Sequence, residues 1–237
     1  LNGYKSGVIL SNNAADASHD IDVTAGVVAD SANASMISVS ALTKRIDASW
    51  STGTNQGGLS SSLTVANSTW YHVFVIKVAG VDDVGFDTSI TAANLVADHG
   101  AAAYRRIGSI LTDGSANIVG FQQNGDRFDW NSPTLDISVS QTTTAALRVV
   151  KTPLGISVAA RLTINNADGQ AVYVSDPEQT DLAASTSLAP LASQYDASAN
   201  QGVANSSVMT DTSSRVRTVA SATAVIRVVT TGWTEFF

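Results

Sequence analysis

Residues Ile156, Val158, Ala160, Leu162 and Ile164 alternate without a break with Ser157, Ala159, Arg161 and Thr163. Successive side chains of a strand point to opposite faces, so this run buries one face and wets the other. A helix cannot use it, because a 3.6-residue period would scatter the apolar set around the cylinder. Leu135, Ile137 and Val139 alternate in the same way with Asp136, Ser138 and Ser140. Strands wet on one side belong to antiparallel sheets packed face to face. The expectation is an all-β chain, an antiparallel β-sandwich of jelly-roll type.

Two other runs are apolar at odd and even positions alike, Trp70 to Val78 and Ala224 to Val229. They read as central strands, one in each half of the chain. Shorter strands are expected at Ile21 to Thr24, Met36 to Ser40, Val84 to Phe86, Leu147 to Val150 and Ala171 to Val174. The turn Asp113-Gly114-Ser115-Ala116-Asn117 separates two apolar runs as a hairpin does, and Asn124-Gly125-Asp126 makes another turn soon after. Asn165 to Gln170 is expected to close a hairpin between strands 156–164 and 171–175. Helix signals are confined to Thr91 to Asp98, with Thr91 as the cap and Gly100 as the stop. Asp181 to Asn205 is rich in Ala and Ser and has neither period, so it reads as a long loop or an arm. Asn131-Ser132-Pro133-Thr134 is the expected boundary between two β-rich halves, 1–133 and 134–237.

With 237 residues there is room for a sizeable core, and the formal charge is -7 with only 14% charged residues. Phosphate binding needs clustered Lys and Arg, and the adjacent basic pairs are just Lys44-Arg45 and Arg105-Arg106. Nucleic acid is excluded as a partner on this ground. The absence of cysteine removes disulfides, thiolate metal sites and cysteine nucleophiles. No apolar run approaches the roughly 20 residues that a membrane helix needs, so membrane insertion is not expected. The start, Leu1-Asn2-Gly3-Tyr4-Lys5, has neither Met nor a basic n-region, and reads as that of a fragment or a processed product.

His19, His72 and His99 lie far apart and show no metal-ligand spacing. His72, between Trp70 and Phe74, reads as a satisfied core histidine. No Gly-x-Ser-x-Gly elbow supports a serine nucleophile. A glycosidase needs two carboxyls about 5–9 Å apart, and three sets are available: Asp82-Asp83 with Asp87, Asp20 with Asp22, and Asp126 with Asp129. Asp at strand ends and turns has conformational uses of its own, so no catalytic, metal or cofactor-binding residue is assigned. Trp50, Trp70, Trp130 and Trp233 serve either as core anchors or in sugar stacking and oligomer seams. Trp130, between a turn and Pro133, is expected to be the exposed one. Arg105 and Arg106 are expected at the outer end of their strand, as a wet surface pair or as a fork for a neighbouring carboxylate. These three residues are the candidate contacts for a receptor or an interface.

Several segments, taken in order, resemble a structural module of tailed-phage and prophage virions. They are Ser11-Asn12-Asn13-Ala14, His19 to Gly26, Ala41 to Trp50, Gly57-Gly58-Leu59, Trp70 to Lys77, Arg105 to Ile110 and the terminal Gly232-Trp233. Ile90 to Ala103 and Thr234 to Phe237 depart from the module's pattern. The resemblance implies a non-enzymatic virion protein of the tail-fibre or receptor-binding spike type, serving host attachment. A homotrimer is implied, beside other virion proteins and a host glycan or protein receptor. A capsid decoration or cement protein, and a glycan-degrading tail spike, are the alternatives that it leaves open.

Overall fold

The computed structural model describes residues 1–166, 168–185, 187, 192–194 and 202–237. The fold is all-β and sandwich-like, with one short helix among the described residues. The chain divides into two compact units, Leu1–Asp126 together with Phe237, and Arg127–Phe236. Sequence reading put the boundary a few residues later, within 131–134. Arg127–Trp130 instead belongs to the second unit, because it pairs there with the last strand.

The first unit contains β1 (Lys5–Gly7), β2 (Leu10–Asn12), β3 (Asp20–Val23), β4 (Gly26–Ala29), β5 (Met36–Val39) and β6 (Leu42–Ser49). It continues with β7 (Gln56–Leu59), β8 (Trp70–Val78), β9 (Val81–Asp87), α1 (Ala93–His99), β10 (Ala101–Leu111) and β11 (Phe121–Asn124). Strands β10-β8-β9-β7-β6-β3-β2-β11 lie side by side in that order, and β1-β4-β5 form a separate sheet. As expected for a run apolar on both faces, β8 is central and buried over most of its length. Phe74 and Ile76 of β8 pack with Ala92, Leu95 and Ala101. Two pairings, β6 with β7 and β7 with β9, are parallel, so the purely antiparallel expectation fails there.

Helix α1 does not begin on Thr91. Its N-cap is Ala92, in the left-handed region at φ 53°, with no side-chain cap of its own. The buried carboxylate of Asp87 takes over, accepting the amides of Asn94 (2.9 Å) and Leu95 (3.0 Å). Gly100 at φ 66° ends the helix as the sequence indicated. The hairpin at 113–117 is one bridge wide, Thr112 with Ile118, because the chain beyond it leaves β10 and β11 pairs with β2.

The second unit comprises β12 (Arg127–Trp130), β13 (Leu135–Gln141), β14 (Ala146–Val149), β15 (Ala159–Asn166) and β16 (Val172–Ser175). After these come β17 (Ala192–Gln194), β18 (Gly202–Met209), β19 (Arg215–Ala220) and β20 (Ala224–Thr234). One sheet runs β12-β20-β15-β18 with β13 also on β20, and the other runs β14-β19-β16-β17. Ala160, Leu162, Ile164 and Val228 of the first sheet meet Val172, Val174, Val216 and Ala220 of the second in one core.

The alternation at 156–164 is realised as strict in-and-out burial along β15. Its hairpin with 171–175 does not form. β15 pairs with β18 and β20, whereas β16 pairs with β17 and β19 in the opposite sheet. Both strands bury an apolar face, and facing each other across the core satisfies both, which side-by-side pairing would not. Leu135 departs from its alternation because a register shift between Leu135 and Ile137 turns it outward. Within the expected arm at 181–205, residues 192–194 and 202–205 are strand, and residues 186, 188–191 and 195–201 lie outside the described residues.

Candidate binding groove

Strands β6 and β7 run parallel, with Lys44 beside Gln56 and Arg45 beside Gly57. Parallel neighbours ordinarily need a crossover of about a dozen residues, yet residues 50–55 alone connect this pair. The return is pinned by backbone bonds from Asn55 N to Thr43 O (2.8 Å) and from Ser51 N to Gly57 O (3.0 Å). Position 57 must be glycine, since a Cβ there would overlap the carbonyl oxygen of Ser49.

Lys44 completes the return. Its ammonium, with no exposure to solvent, donates to Ser51 O (2.6 Å), Gly53 O (3.1 Å) and Asp83 Oδ2 (3.0 Å). All three of its protons are thereby used. Asp83 is equally engaged, accepting Gly53 N at 2.9 Å and its neighbour Val84 N at 2.7 Å. Burial pushes the Lys44 ammonium below its ordinary value, while the hydrogen bond and charge of Asp83 act the other way. Trp50 lies 5.5 Å from the same ammonium and donates its indole N–H to Val84 O.

That lock fixes one wall of an open groove of about 480 Å3. Three loops frame it: the turn after β5 at 40–41, the return at 52–54, and the β8–β9 turn at 79–80. Its lining includes Ser38, Ser40, Leu42, Thr52, Val81 and Asp82. The hydroxyls of Ser38, Ser40 and Thr52 make no hydrogen bond within the described residues. Asp82 is held by an ion pair with Lys77 and by Ser38 N at 2.9 Å. The groove therefore offers free hydroxyls and a fixed carboxylate, beside the aliphatic side chain of Val81, which is 46% exposed.

The three residues singled out in the sequence are not brought to this groove. Trp130 is buried, not exposed. Phe128 and Trp130 share one face of β12, and both rings pack on Trp233, at centroid distances of 4.9 Å and 4.8 Å. The Trp130 indole N–H donates to Lys151 O at 3.2 Å. Arg105 and Arg106 are half-buried in the middle of β10 and do not sit at its end. A bulge follows at Arg106–Gly108, and Arg106 stacks 4.9 Å over the Phe237 ring. Trp70 and Trp233 are also buried, and Trp50 is half-buried against the cluster of Phe74 and Leu95.

The histidines and most of the carboxylates have structural partners. His72 is buried against Ser109 Oγ at 3.1 Å. His99 stacks on Trp50 at 5.0 Å, and its Nε2 lies 3.2 Å from Ser61 Oγ. This is a nucleophile–base contact in form, yet the amides that would stabilise an oxyanion are taken. Ser61 N donates to His99 itself, and Ser62 N to Asp98. Burial holds His99 below the usual imidazole value against the opposing charge of Asp98. Asp82 and Asp83 pair with different lysines, and Asp87 caps α1. Asp22 accepts Thr43 Oγ1 at 2.6 Å, while Asp126 pairs with Lys5 and Asp129 with Arg127. Burial raises the carboxyl of Asp20, which has no hydrogen-bond partner for Oδ1 among the described residues. Among those residues no group of three His, Cys, Asp or Glu is placed to hold a metal.

No protein family matches the chain, and neither a curated protein nor a solved structure matches it.

Proposed function

We propose that the chain is a structural protein of a phage virion, of tail-fibre or receptor-binding spike type, that attaches the particle to a glycan on the host surface. The observation that carries this reading is the groove: three loops on a sheet framework present free hydroxyls to solvent. Loops positioned by a rigid scaffold are where binding is concentrated in β proteins. The ordered motifs from Ser11 to Trp233 that resemble the virion module support the setting. A homotrimer goes with it, with a mass three times the 24.5 kDa of the chain.

The test is saturable binding of the purified protein to bacterial cells, with competition by polysaccharide extracted from them, combined with antibody labelling of intact particles. Saturable, polysaccharide-competed binding and label on the tail are expected. Label spread over the head would replace this reading with a decoration protein, and release of oligosaccharide would replace it with a glycan-degrading enzyme. A monomer by light scattering at micromolar concentration would remove the trimer.

A further inference from the structure

We infer that the groove framed by residues 40–41, 52–54 and 79–80 is a subsite for one uncharged pyranose. This deepens the attachment reading and rests on it. Three features of the groove select that chemistry.

The first is the balance of donors and acceptors. Ser38, Ser40 and Thr52 bring hydroxyls that both donate and accept, and they are not committed to other groups among the described residues. Asp82 is an acceptor only. Its Oδ1 is buried beside Lys77, so Oδ2, held in place by Ser38 N, is the oxygen that meets a ligand. A fixed carboxylate oxygen receiving a sugar hydroxyl makes a strong, charge-assisted bond. The second is the aliphatic wall. Val81, the first residue of β9, and Leu42 supply an apolar surface on which the C–H face of a sugar ring can rest. No aromatic ring belongs to the described lining, so stacking is not the recognition mode. The third is charge. The two ionisable groups of the lining are Asp82 and Asp83, and no cationic side chain lines it among the described residues. A uronate or sialate would bring its carboxylate against Asp82 with no cation in the lining to receive it. The volume of about 480 Å3 is that of a small-molecule site.

The probes are methyl α-glucopyranoside, methyl α-mannopyranoside and methyl β-galactopyranoside, each against glucuronate and N-acetylneuraminate, at millimolar concentration. Amide NMR spectra of the full chain are the readout. At least one neutral glycoside is expected to shift the amides of Ser38, Ser40, Thr52 and Val81 in a saturable way, with both anionic sugars at least tenfold weaker. Ser40→Ala and Thr52→Val should each weaken binding roughly threefold to tenfold, the loss expected for single neutral hydrogen bonds. Ala41→Trp, filling the groove from an exposed turn position, should abolish it while the remaining spectrum stays folded. Absence of shifts at these four residues, or equal binding of neutral and anionic sugars, overturns the inference. The cell assay separates the two claims. Sugar binding without cell attachment removes the attachment reading and leaves the subsite standing. Undiminished cell attachment by Ala41→Trp removes the subsite and leaves attachment standing.

Discussion

The ammonium of Lys44 and the carboxylate of Asp83 stand 3.0 Å apart, and neither residue reaches solvent. The pair joins three stretches that are distant in sequence: β6, the return loop at 51–53, and β9. Removing one member of a buried, fully hydrogen-bonded pair leaves an uncompensated charge, which typically costs about 3–5 kcal/mol.

Lys44→Met is therefore expected to destabilise the chain by about 3–5 kcal/mol, and Asp83→Asn by a similar amount. The double variant should cost less than the sum, because it leaves no orphaned charge. Urea denaturation of the four proteins checks this. Additive single effects would mean that the two groups do not depend on each other.

Phe74→Ala is expected to cost about 3–5 kcal/mol, as for a large buried aromatic. Phe74 is fully buried in β8 and meets Tyr104 edge-on at 6.0 Å. A loss under about 1 kcal/mol in the same assay would contradict its placement in a close-packed core.

How much of this was legible in the sequence depended on whether the determining contact was local. Period-2 burial along β15 and the doubly buried β8 followed directly from the residue pattern, since each strand must place its own apolar side chains. Pairing partners did not follow, because the choice for β15 between β16 and β20 is made by the whole core. The groove was missed, since hydroxyls become a site only when loops far apart in sequence meet. Lys44, however, left a signal. It falls in phase with Leu42, Ile46 and Ala48, on the inward positions of β6, where a lysine is out of place unless a buried acceptor awaits it. Counting it only as half of an adjacent basic pair overlooked that phase. Trp130 misled for the opposite reason. Its position before Pro133 suggested a loop edge, while its spacing of two from Phe128 already placed both rings on one strand face.

The β8–β9 turn places Ala79 and Gly80 at φ 48° and 83°, the two positive values that a tight type I′ turn demands. Alanine tolerates that region poorly, at about 1–2 kcal/mol. Ala79→Gly should therefore raise stability by about 0.5–1 kcal/mol after the loss of chain entropy in the unfolded state. Gly80→Ala should lower it by about 1 kcal/mol although nothing lies within 4 Å of the added methyl group. Opposite signs at adjacent positions, read from melting curves, are the signature of this turn.

Gly232 in β20 faces Asp129 of β12. A Cβ there would overlap the Phe128 carbonyl oxygen and the Arg161 guanidinium, which itself bonds that carbonyl at 3.0 Å. Gly232→Ala should then destabilise by roughly 2 kcal/mol, an overpacking cost, and loosen the Phe128–Trp233 stack beside it. Near-ultraviolet circular dichroism should show weakened tryptophan bands. Unchanged bands and stability would mean that β12 does not approach β20 this closely.

Asp98 supplies the acid-sensitive pin of the loop at 60–62. Its carboxyl is drawn from 3.8 down to about 2 by the Ser60 hydroxyl, and then by Ser62 through side chain and backbone. The Ser60 bond is 2.5 Å long and that from Ser62 N is 2.7 Å. Because the folded value lies below the unfolded one, the contribution is complete above pH 3.8. It is lost as pH falls through about 2, once the folded state also takes up the proton. Wild type should thus exceed Asp98→Asn in melting temperature at pH 6, with the gap closing between pH 4 and pH 2. A gap constant across that window would show that the carboxylate charge plays no part in holding the loop.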